Sequence, residues 1–385
     1  MGGRQCPLEG LGGLVAAERH ITRELLEDYY SGRRVLVTGS TGFKGSWLCE
    51  MLVQLGAEVT GFALEPPTDP SLFDEAGVGK DIHQIIGDVR DLDALQTTFA
   101  EASPQAVLHL AAQPIVLTSY EEPRYTYETN VMGTVNVLEC VRATASVTSF
   151  LNVTTDKVYL NQERPGYGYR EDDQLDGFDP YSNSKSCSEL VTHSYAASFF
   201  APDARGDAAG RCAISTARAG NVIGGGDFAP NRIVPDCVRA VQVGEPLIIR
   251  NPNSVRPYQH VLEPLVAYLG IVALQDGDRR AAGWYNIGPD DESSVTTGEL
   301  VKLFARHWGE GFTYQAQHVD GPHEANFLKL DNTKAKQVLG WKPAWGVDEA
   351  IRRTVDWTRA WLAGGSAAAK DEMNKQIDEY LEVLG

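Results

Sequence analysis

A short β-branched strand runs directly into a glycine-rich turn, and this junction restricts the possible folds more than any other feature. Residues 34–38 read RVLVT. They are followed by Gly39, Gly42 and Gly45, and then by a helical pattern that continues to about residue 55. Glycines at such a turn allow close packing of helix on strand, and the helix N-terminus attracts an anion such as a pyrophosphate. The junction therefore predicts a dinucleotide-binding turn, with GxxGxxG spacing instead of the commoner GxGxxG.

Strand-like and helix-like segments alternate through the first half of the chain. Beyond the turn, the strand-like runs lie at 58–63, 83–87, 106–111 and 149–153, with helical patterns at 91–102 and 125–145. Such alternation predicts βαβ units and a parallel sheet covered on both faces. We expect an α/β fold: a Rossmann-type doubly wound parallel sheet, with a smaller mixed α/β substrate-binding region on its C-terminal side.

The charge and the cysteines limit the partners of the chain. A formal net charge of −18 repels duplex DNA and anionic membranes, so neither is an expected partner. The six cysteines show no CxxC spacing, so we expect reduced thiols and no metal site.

No apolar run reaches the roughly 18 residues of a membrane span, and the acidic N-terminal region does not read as a secretory signal. We expect a cytoplasmic protein.

The end of the second predicted strand bears on the choice of cofactor. A carboxylate for the ribose 2′-hydroxyl of NAD is expected about twenty residues after the turn. Ala63 stands there, and the nearest acidic residue is Glu65. No Lys or Arg follows before Lys80 to bind the 2′-phosphate of NADP, so NAD is the expected cofactor. Asp88 could reach the adenine or could instead cap the next helix.

A tyrosine and a lysine four residues apart follow Pro180. Proline suits the first turn of a helix, so Tyr181 and Lys185 would lie on one helix face. A lysine so placed could lower the pKa of the phenol from about 10 toward neutrality and make it a base for a sugar hydroxyl. The alternative is a packed tyrosine beside a solvated lysine.

Together, the glycine turn, HLAAQ at 109–113, Asn130 in TNVMGT and YSNSK at 181–185 resemble the extended short-chain dehydrogenase/reductase superfamily. More narrowly, the chain resembles the CDP-glucose 4,6-dehydratases from about residue 33 to residue 345. The segments that carry this likeness are GFKGSWL (42–48), EPPTDPSLF (65–73), HLAAQP (109–114), TNVMGT (129–134), DPYSNSKSCSELV (179–191), ARAGNVIGGGDFA (217–229), RPYQHVLEPL (256–265) and FLKLD (327–331).

The resemblance implies a lyase that converts a nucleotide-linked hexose, expected to be CDP-D-glucose, into its 4-keto-6-deoxy form with loss of water. Such products feed deoxysugar and lipopolysaccharide O-antigen biosynthesis. Tyr181, assisted by Lys185, would take the O4 proton, and Thr155 would hydrogen-bond the same oxygen. Asp156 would protonate the departing C6 hydroxyl, and Lys157 would stand where the base for the C5 proton stands.

Asp156 and Lys157 pose a physical difficulty as an acid–base pair. Asp156 must carry a proton and Lys157 must lack one, yet ionised neighbours stabilise the opposite states. Either both titrate as a coupled pair in a buried site, or they face different ways and Lys157 is an electrostatic stabiliser. The sequence leaves both possibilities open.

The resemblance also implies the ligand contacts. The expected cofactor-binding residues are Gly39, Thr41, Gly42, Phe43, Lys44, Gly45, Asp88, Val89, Leu110, Ala111, Ala112, Asn130, Tyr181 and Lys185. The expected substrate-binding residues are Gln113, Asn221, Arg232, Arg256, His260 and Glu324. Asn221 and Arg256 are the first choices for the diphosphate. Arg218 lies in the same basic cluster, and a structural ion pair is the alternative for each arginine.

The expected domains are an N-terminal extension at 1–32 with a short helix at 18–30, an NAD-binding Rossmann domain with the catalytic residues at 33–222, a mainly sugar-nucleotide-binding region at 223–364, and a C-terminal linker and helix at 365–385. Apolar faces at 125–145 and 181–200 suggest a homodimer or a dimer of dimers built on a helix pair, and buried core is the alternative.

Two other functions compete with the dehydratase. A sugar-nucleotide 4-epimerase would share Tyr181, Lys185 and NAD, but Asp156 and Lys157 argue against it. A non-enzymatic NAD-sensing protein on the same fold would have no use for Tyr181, Lys185 and Asp156.

Overall fold

Seven parallel strands form the central sheet of the protein, which is described by a computed structural model over residues 20–164, 166–316 and 328–385. In chain order, the strands of this sheet and of two smaller sheets in the described residues are β1 (Arg34–Thr38), β2 (Glu58–Ala63), β3 (His83–Ile86), β4 (Ala106–His109), β5 (Ser149–Thr155), β6 (Ala213–Ala219), β7 (Asn221–Ile223), β8 (Leu247–Ile249), β9 (Val255–His260), β10 (Trp284–Ile287), β11 (Ser294–Thr296) and β12 (Tyr314–Ala316). The sheet order is β10-β6-β5-β4-β1-β2-β3, and every neighbouring pair is parallel. The predicted doubly wound sheet is confirmed.

Helices connect the strands and cover both faces of the sheet. They are α1 (Arg23–Tyr30), α2 (Phe43–Gln54), α3 (Leu72–Glu75), α4 (Leu92–Ala102), α5 (Val116–Glu121), α6 (Pro123–Tyr127), α7 (Gly133–Ala143), α8 (Pro180–Tyr195), α9 (Ile233–Val243), α10 (Leu262–Gly277), α11 (Thr297–Trp308), α12 (Thr333–Leu339) and α13 (Val347–Val383). Two π-helical turns, Glu128–Met132 and Ala196–Phe200, lie before α7 and after α8.

The apolar strands are buried on both sides, which explains why they read as continuous hydrophobic runs. Leu36 and Phe150 belong to the core beneath α4 and α7, whereas Val35 and Leu151 belong to the core beneath α2 and α10. All four side chains are at most 1% exposed. Neighbouring residues of each strand therefore contribute to the cores on opposite faces of the sheet.

The strand order reverses between β1 and β4, and this reversal fixes where a ligand can bind. Thr38 and His109 end the two strands side by side in the pairing register. Because the connections leave β1 and β4 in opposite directions, a crevice opens beyond their carboxyl ends, where open α/β sheets bind ligands. The glycine turn and the HLAAQ segment both begin at this crevice.

The smaller mixed region beyond β6 is present as predicted. It contains a three-stranded sheet with the order β11-β9-β7, a β12-β8 pair and a core that includes Val238, Phe304 and Ile351. Strand β10 comes from this half of the chain, yet it pairs with β6 in the main sheet.

The C-terminal end of the chain differs from the sequence prediction. The Ala-rich stretch after Gly365 was expected as a linker, but it is helical: α13 continues from Val347 to Val383 with one non-helical residue, Gly365 (φ 63°). Ala369 and Met373 are fully buried, and this burial holds the segment in place. The predicted helix at 18–30 is confirmed from Arg23 onward, and residues 1–19 lie outside the described residues. The four domain boundaries remain predictions.

No helix in the described parts of the chain is long and apolar enough to cross a membrane. Within those same residues, His, Cys, Asp and Glu side chains form no group of three or more that could hold a metal ion.

Candidate active site

The glycine turn packs so tightly that two of its glycines cannot carry a side chain. A Cβ on Gly45 would lie 2.0 Å from the Gly39 carbonyl oxygen, and one on Gly39 would lie 2.8 Å from the Ala111 nitrogen. Gly39 also has a φ of +79°, which disfavours other residues. The turn thus brings α2 against β1 and against the segment after β4.

The first turn of α2 meets the requirements of an anion site. Its N-cap is Gly42, and no side chain caps the helix. Uncapped N–H groups and the helix dipole together favour a phosphate at this position. Thr41 donates a hydrogen bond to the Leu64 carbonyl oxygen at 2.8 Å and thereby joins the turn to the end of β2. The residues present fit a dinucleotide.

The expected adenosine side of the crevice is formed by the ends of β2 and β3. Ala63 is buried, whereas Glu65 is exposed. Asp88 accepts hydrogen bonds from the backbone and side chain of Arg90. The N-cap of α4 is Asp91, so the helix-cap alternative for Asp88 is wrong. Val89 is buried against Gly133.

The segment after β4 is held by the π-helical turn and by β1. The buried Asn130 side chain accepts from the Gln113 N–H at 2.8 Å and donates to Ser184 in α8 at 2.9 Å. Leu110 and Ala111 bond through their N–H groups to Thr38, and Ala112 follows them. Asn130 thus ties this segment to the helix that carries Tyr181. The sequence predicted one continuous helix at 125–145 and did not reveal the π-helical turn in which Asn130 lies.

Thr155 and Asp156 stand at the carboxyl end of β5, at the base of the same crevice. The Asp156 carboxylate is 5% exposed and accepts a hydrogen bond from the Thr155 hydroxyl at 3.0 Å. Burial raises its pKa, opposed by Lys157, Thr155, Arg256 and Lys44. A Cβ at position 220 would lie 2.9 Å from Asp156 Oδ2, so Gly220 provides the space for this carboxyl. Sequence reasoning missed Gly220, whose signal was a glycine directly after a buried strand.

Lys157 differs from Asp156 in its surroundings. Its side chain is exposed, while its neighbour is buried. The two residues begin a short 3₁₀ turn, Asp156–Val158, in which adjacent side chains point in different directions. Of the two possibilities left open by the sequence, this geometry favours side chains that face different ways.

Tyr181 and Lys185 occupy the first turns of α8. The helix begins as predicted, with Pro180 at its first position and an N-cap bond from the Ser182 N–H to the Asp179 carboxylate at 3.0 Å. Burial raises the pKa of Tyr181 to about 12, and the Thr155 side chain opposes the rise. Lys185 is buried and donates to the Val153 carbonyl oxygen at 3.1 Å.

Burial outweighs the effect that the sequence led us to expect from Lys185, so the pKa of Tyr181 is raised and not brought toward neutrality. Burial, with the cation of Lys44 adding to it, lowers the pKa of Lys185 to about 8. The ammonium of Lys185 is directed at the β5 backbone, and desolvation remains the largest influence on the pKa of the Tyr181 phenol.

Three further cations reach the crevice. Burial lowers the pKa of Lys44, in the first turn of α2, to about 8; Arg232 lowers it further and Asp156 opposes the shift. Arg232 pairs with the Asp227 carboxylate at 3.0 Å and its charge reaches Tyr181. Arg256 lies within electrostatic range of Asp156. The sequence assigned Lys44 to the cofactor and did not anticipate its proximity to the catalytic acid.

Several predicted substrate contacts lie elsewhere or are otherwise engaged. Arg218 is fully buried in an ion pair with Glu189, so the structural alternative holds for this arginine. His260 is fully buried and packs edge-on against Trp47 and Trp345, away from solvent. The Gln113 amide bonds Thr126 and the Ile115 N–H.

Asn221 and Glu324 complete the predicted substrate contacts. Asn221 is exposed at the start of β7. It pairs with Tyr258 of the parallel strand β9, two residues after Arg256. Glu324 lies outside the described residues.

A parallel Rossmann sheet whose crevice holds a glycine turn, a Tyr–Lys pair on one helix and a Thr–Asp pair at the neighbouring strand end defines an extended short-chain dehydrogenase/reductase. Comparison with known proteins narrows this class. The family model described as GDP-mannose 4,6 dehydratase matches residues 36–354. A CDP-glucose 4,6-dehydratase of Salmonella typhimurium is 46% identical over 92% of this chain and 98% of its own length. A dTDP-glucose 4,6-dehydratase of Xanthomonas campestris is 27% identical over 86% of this chain and 95% of its own.

Solved structures share the fold. A UDP-glucose 4-epimerase of Thermus thermophilus in complex with NAD superposes with a TM-score of 0.70 at 28% identity, covering 85% of this chain and 99% of its own. A dTDP-glucose 4,6-dehydratase of Bacillus anthracis, also in complex with NAD, gives a TM-score of 0.67 at 21% identity over 85% and 97% of the two chains. The chain belongs to the GDP-mannose 4,6 dehydratase family. The prediction of an NAD-dependent sugar-nucleotide 4,6-dehydratase is confirmed.

Proposed function

We propose that the protein converts CDP-D-glucose into its 4-keto-6-deoxy form. The proposal rests on the convergence of Thr155, Asp156 and Tyr181 at one end of the crevice, because a dehydratase needs an acid beside the base that an epimerase also uses. The choice of cytidine and glucose is supported by the 46% identity with the CDP-glucose 4,6-dehydratase of Salmonella typhimurium.

The residues of the crevice divide the reaction among them. Tyr181 accepts the O4 proton of the hexose as C4 is oxidised, and Thr155 hydrogen-bonds the same oxygen. Oxidation at C4 acidifies the C5 proton, so water can leave across C5 and C6. The glycine turn and the first turn of α2 would hold NAD, which would supply the acceptor for the C4 hydride and return that hydride to C6 as a proton returns to C5.

Asp156 protonates the departing C6 hydroxyl in this scheme. Its pKa is raised by burial, which favours the protonated acid that this step needs. Lys157, on the exposed side of the turn, receives the C5 proton or stabilises the charge that develops when the proton leaves. Burial outweighs the opposing charge of Lys157, so the pKa of the Asp156 acid stays raised beside a cation.

The diphosphate of the substrate lies, in our proposal, between Asn221, Arg232 and Arg256. Arg232 and Arg256 carry positive charge at the crevice of a protein whose net charge is −18, so they are suited to a doubly charged diphosphate. The glycine turn and the first turn of α2 accept the pyrophosphate of NAD.

We also propose a homodimer through the outer surface of α6, α7 and α8. Met132, which precedes α7, is 51% exposed and Leu190 on α8 is 54% exposed, and both lie on helices that pack side by side. Light scattering after size exclusion tests this proposal: Leu190→Asp gives monomers if the surface is the interface, and an unchanged mass contradicts it.

Incubation with NAD and a panel of nucleotide hexoses tests the function. We expect an alkali-dependent enone absorbance, diagnostic of a 4-keto-6-deoxy product, with CDP-D-glucose at a kcat/KM at least tenfold above that with UDP- or dTDP-glucose. Preference for another nucleotide would overturn the cytidine assignment alone. Release of a C4-inverted sugar without the enone signal would overturn the dehydratase.

A further inference from the structure

A carboxylate that the proposed chemistry does not use lies buried one helical turn beyond Lys185. Glu189 on α8 is fully buried and accepts hydrogen bonds from four side chains. The donors are the Thr154 hydroxyl, the Thr216 hydroxyl at 2.7 Å, the Arg218 guanidinium at 3.0 Å and the His193 ring at 3.1 Å. These partners come from β5, β6 and α8, so one carboxylate joins the catalytic helix to two strands.

Arg218 extends the connection across the sheet. Its guanidinium, also fully buried, donates to the Tyr159 hydroxyl at 2.7 Å and to the Glu171 carbonyl oxygen at 3.0 Å. Tyr159 in turn donates to Asn286 on β10 at 2.6 Å. The Glu189–Arg218 pair therefore fixes the segment after Asp156 as well as the helix of Tyr181.

The pair is charged despite its burial. Burial alone would raise the pKa of Glu189, but Arg218 and the hydrogen bonds from His193 and Thr154 hold it well below its usual range. Desolvating two charges is expensive, and a well-packed apolar pair is often as stable or more stable. A role in position rather than in stability accounts for the location of this pair between Lys185 and Thr154.

We propose that Glu189, together with Arg218, is a positioning residue that sets α8 against β5 so that Tyr181 and Lys185 face Thr155 and Asp156. The link is direct on both sides. Thr154, which bonds Glu189, precedes Thr155 in β5, and Lys185 lies four residues before Glu189 on the same helix face. The inference rests on the proposed roles of Tyr181 and Lys185.

Glu189 also supports the charge of Lys185. The groups that face this ammonium are Lys44 from α2, the buried His109 from β4 and Glu189 from α8. Burial, together with Lys185, keeps His109 neutral by lowering its pKa to about 3. Of these groups, Glu189 is the one that raises the pKa of Lys185.

The test uses two variants of the full-length protein. Glu189→Gln/Arg218→Met removes both charges, so that neither is left buried without its partner, and Thr154→Val removes one bond to Glu189 at nearly constant volume. We expect kcat to fall at least tenfold in the first and severalfold in the second, with KM for the nucleotide sugar changed less than threefold. The alkaline limb of kcat should move to lower pH in the first, because Lys185 then loses its proton sooner.

Glu263→Gln is the matched control. Glu263 is a second fully buried carboxylate, on α10, bonded by the Trp345 N–H and the Tyr380 hydroxyl. It should alter the melting temperature without moving the alkaline limb. An equal shift in this control would overturn the inference, as would wild-type kcat and pH profile in both test variants. If the double variant does not fold and Thr154→Val keeps wild-type kinetics, the pair is structural only.

The failure of the positioning role differs from the failure of the proposed catalytic roles. Full activity in Tyr181→Phe would remove the roles assigned to Tyr181 and Lys185, whatever the Glu189 variants do. Wild-type kinetics in the Glu189 variants beside an inactive Tyr181→Phe would remove the positioning role alone.

Discussion

The Thr155 hydroxyl donates a hydrogen bond to the carboxylate of Asp156 at 3.0 Å, and the same side chain lies close enough to the Tyr181 phenol to lower its pKa against the effect of burial. One threonine thus stands between the group that removes the O4 proton and the group that delivers a proton to the C6 hydroxyl. The two reacting positions of the hexose are therefore matched by two groups held a single side chain apart.

Asp156→Asn separates hydride transfer from the loss of water. Asparagine keeps the size and a carbonyl acceptor for Thr155 but cannot donate a proton to a departing hydroxyl as an acid does. We expect the 340 nm absorbance of the reduced cofactor to form with CDP-D-glucose while the enone product falls by about 10²-fold or more. Normal release of product by this variant would contradict the assigned role.

Tyr181→Phe removes the base while leaving the pocket nearly unchanged. Because the Thr155 hydroxyl keeps its bond to Asp156, the free energy of unfolding should change by only about 1 kcal/mol. The kcat should fall by about 10²- to 10⁴-fold, and no 340 nm absorbance should form. Stopped-flow absorbance beside a chemical denaturation curve measures both, and a variant that still reduces the cofactor at the wild-type rate would contradict the role.

The sequence predicted the layout of the site because its signals are local. Residues 34–45 carry strand, turn and helix in one stretch, and Pro180 with Asp179 sets the start of α8 to the residue. Both depend on backbone preferences that a short segment contains by itself.

Interactions between distant segments could not be read in the same way. The sequence suggested Arg218 as a phosphate ligand, but in the structure it pairs with Glu189, 29 residues earlier in the chain. His260 was polar and near Arg256 in sequence, but the last four residues of β9 are all buried, and His260 packs there against Trp47 and Trp345. The pKa of Tyr181 depends on burial, which a YxxxK pattern does not encode.

Gly45→Ala should destabilise the protein, and Gly42→Ala is its control in the same turn. A Cβ at position 45 would meet the Gly39 carbonyl oxygen at 2.0 Å, a backbone contact that no rotamer can relieve. We expect a loss of about 3 kcal/mol or more in the free energy of unfolding. At position 42 the nearest atom is 3.4 Å away and φ is −76°, so the loss should stay near 1 kcal/mol or less. Equal denaturation midpoints without NAD would contradict this account of the turn.

Lys44→Met should extend activity to higher pH. Lys185 must keep its proton to favour the phenolate of Tyr181, and burial with the adjacent cation of Lys44 lowers its pKa to about 8. A folded-state pKa below the usual value means that the ammonium is lost as pH rises through about 8, and the alkaline limb of kcat falls there. Removing the Lys44 charge raises the Lys185 pKa, and it also removes one of the cations that oppose the high pKa of Asp156. Both changes keep protons on the groups that need them, so the limb should move upward by about one pH unit, the size expected for one nearby charge. Lys80→Met, in the 3₁₀ turn after α3, is the control for loss of a positive charge outside the crevice. A limb that stays in place, or moves equally in the control, would show that Lys44 does not set the charge of Lys185.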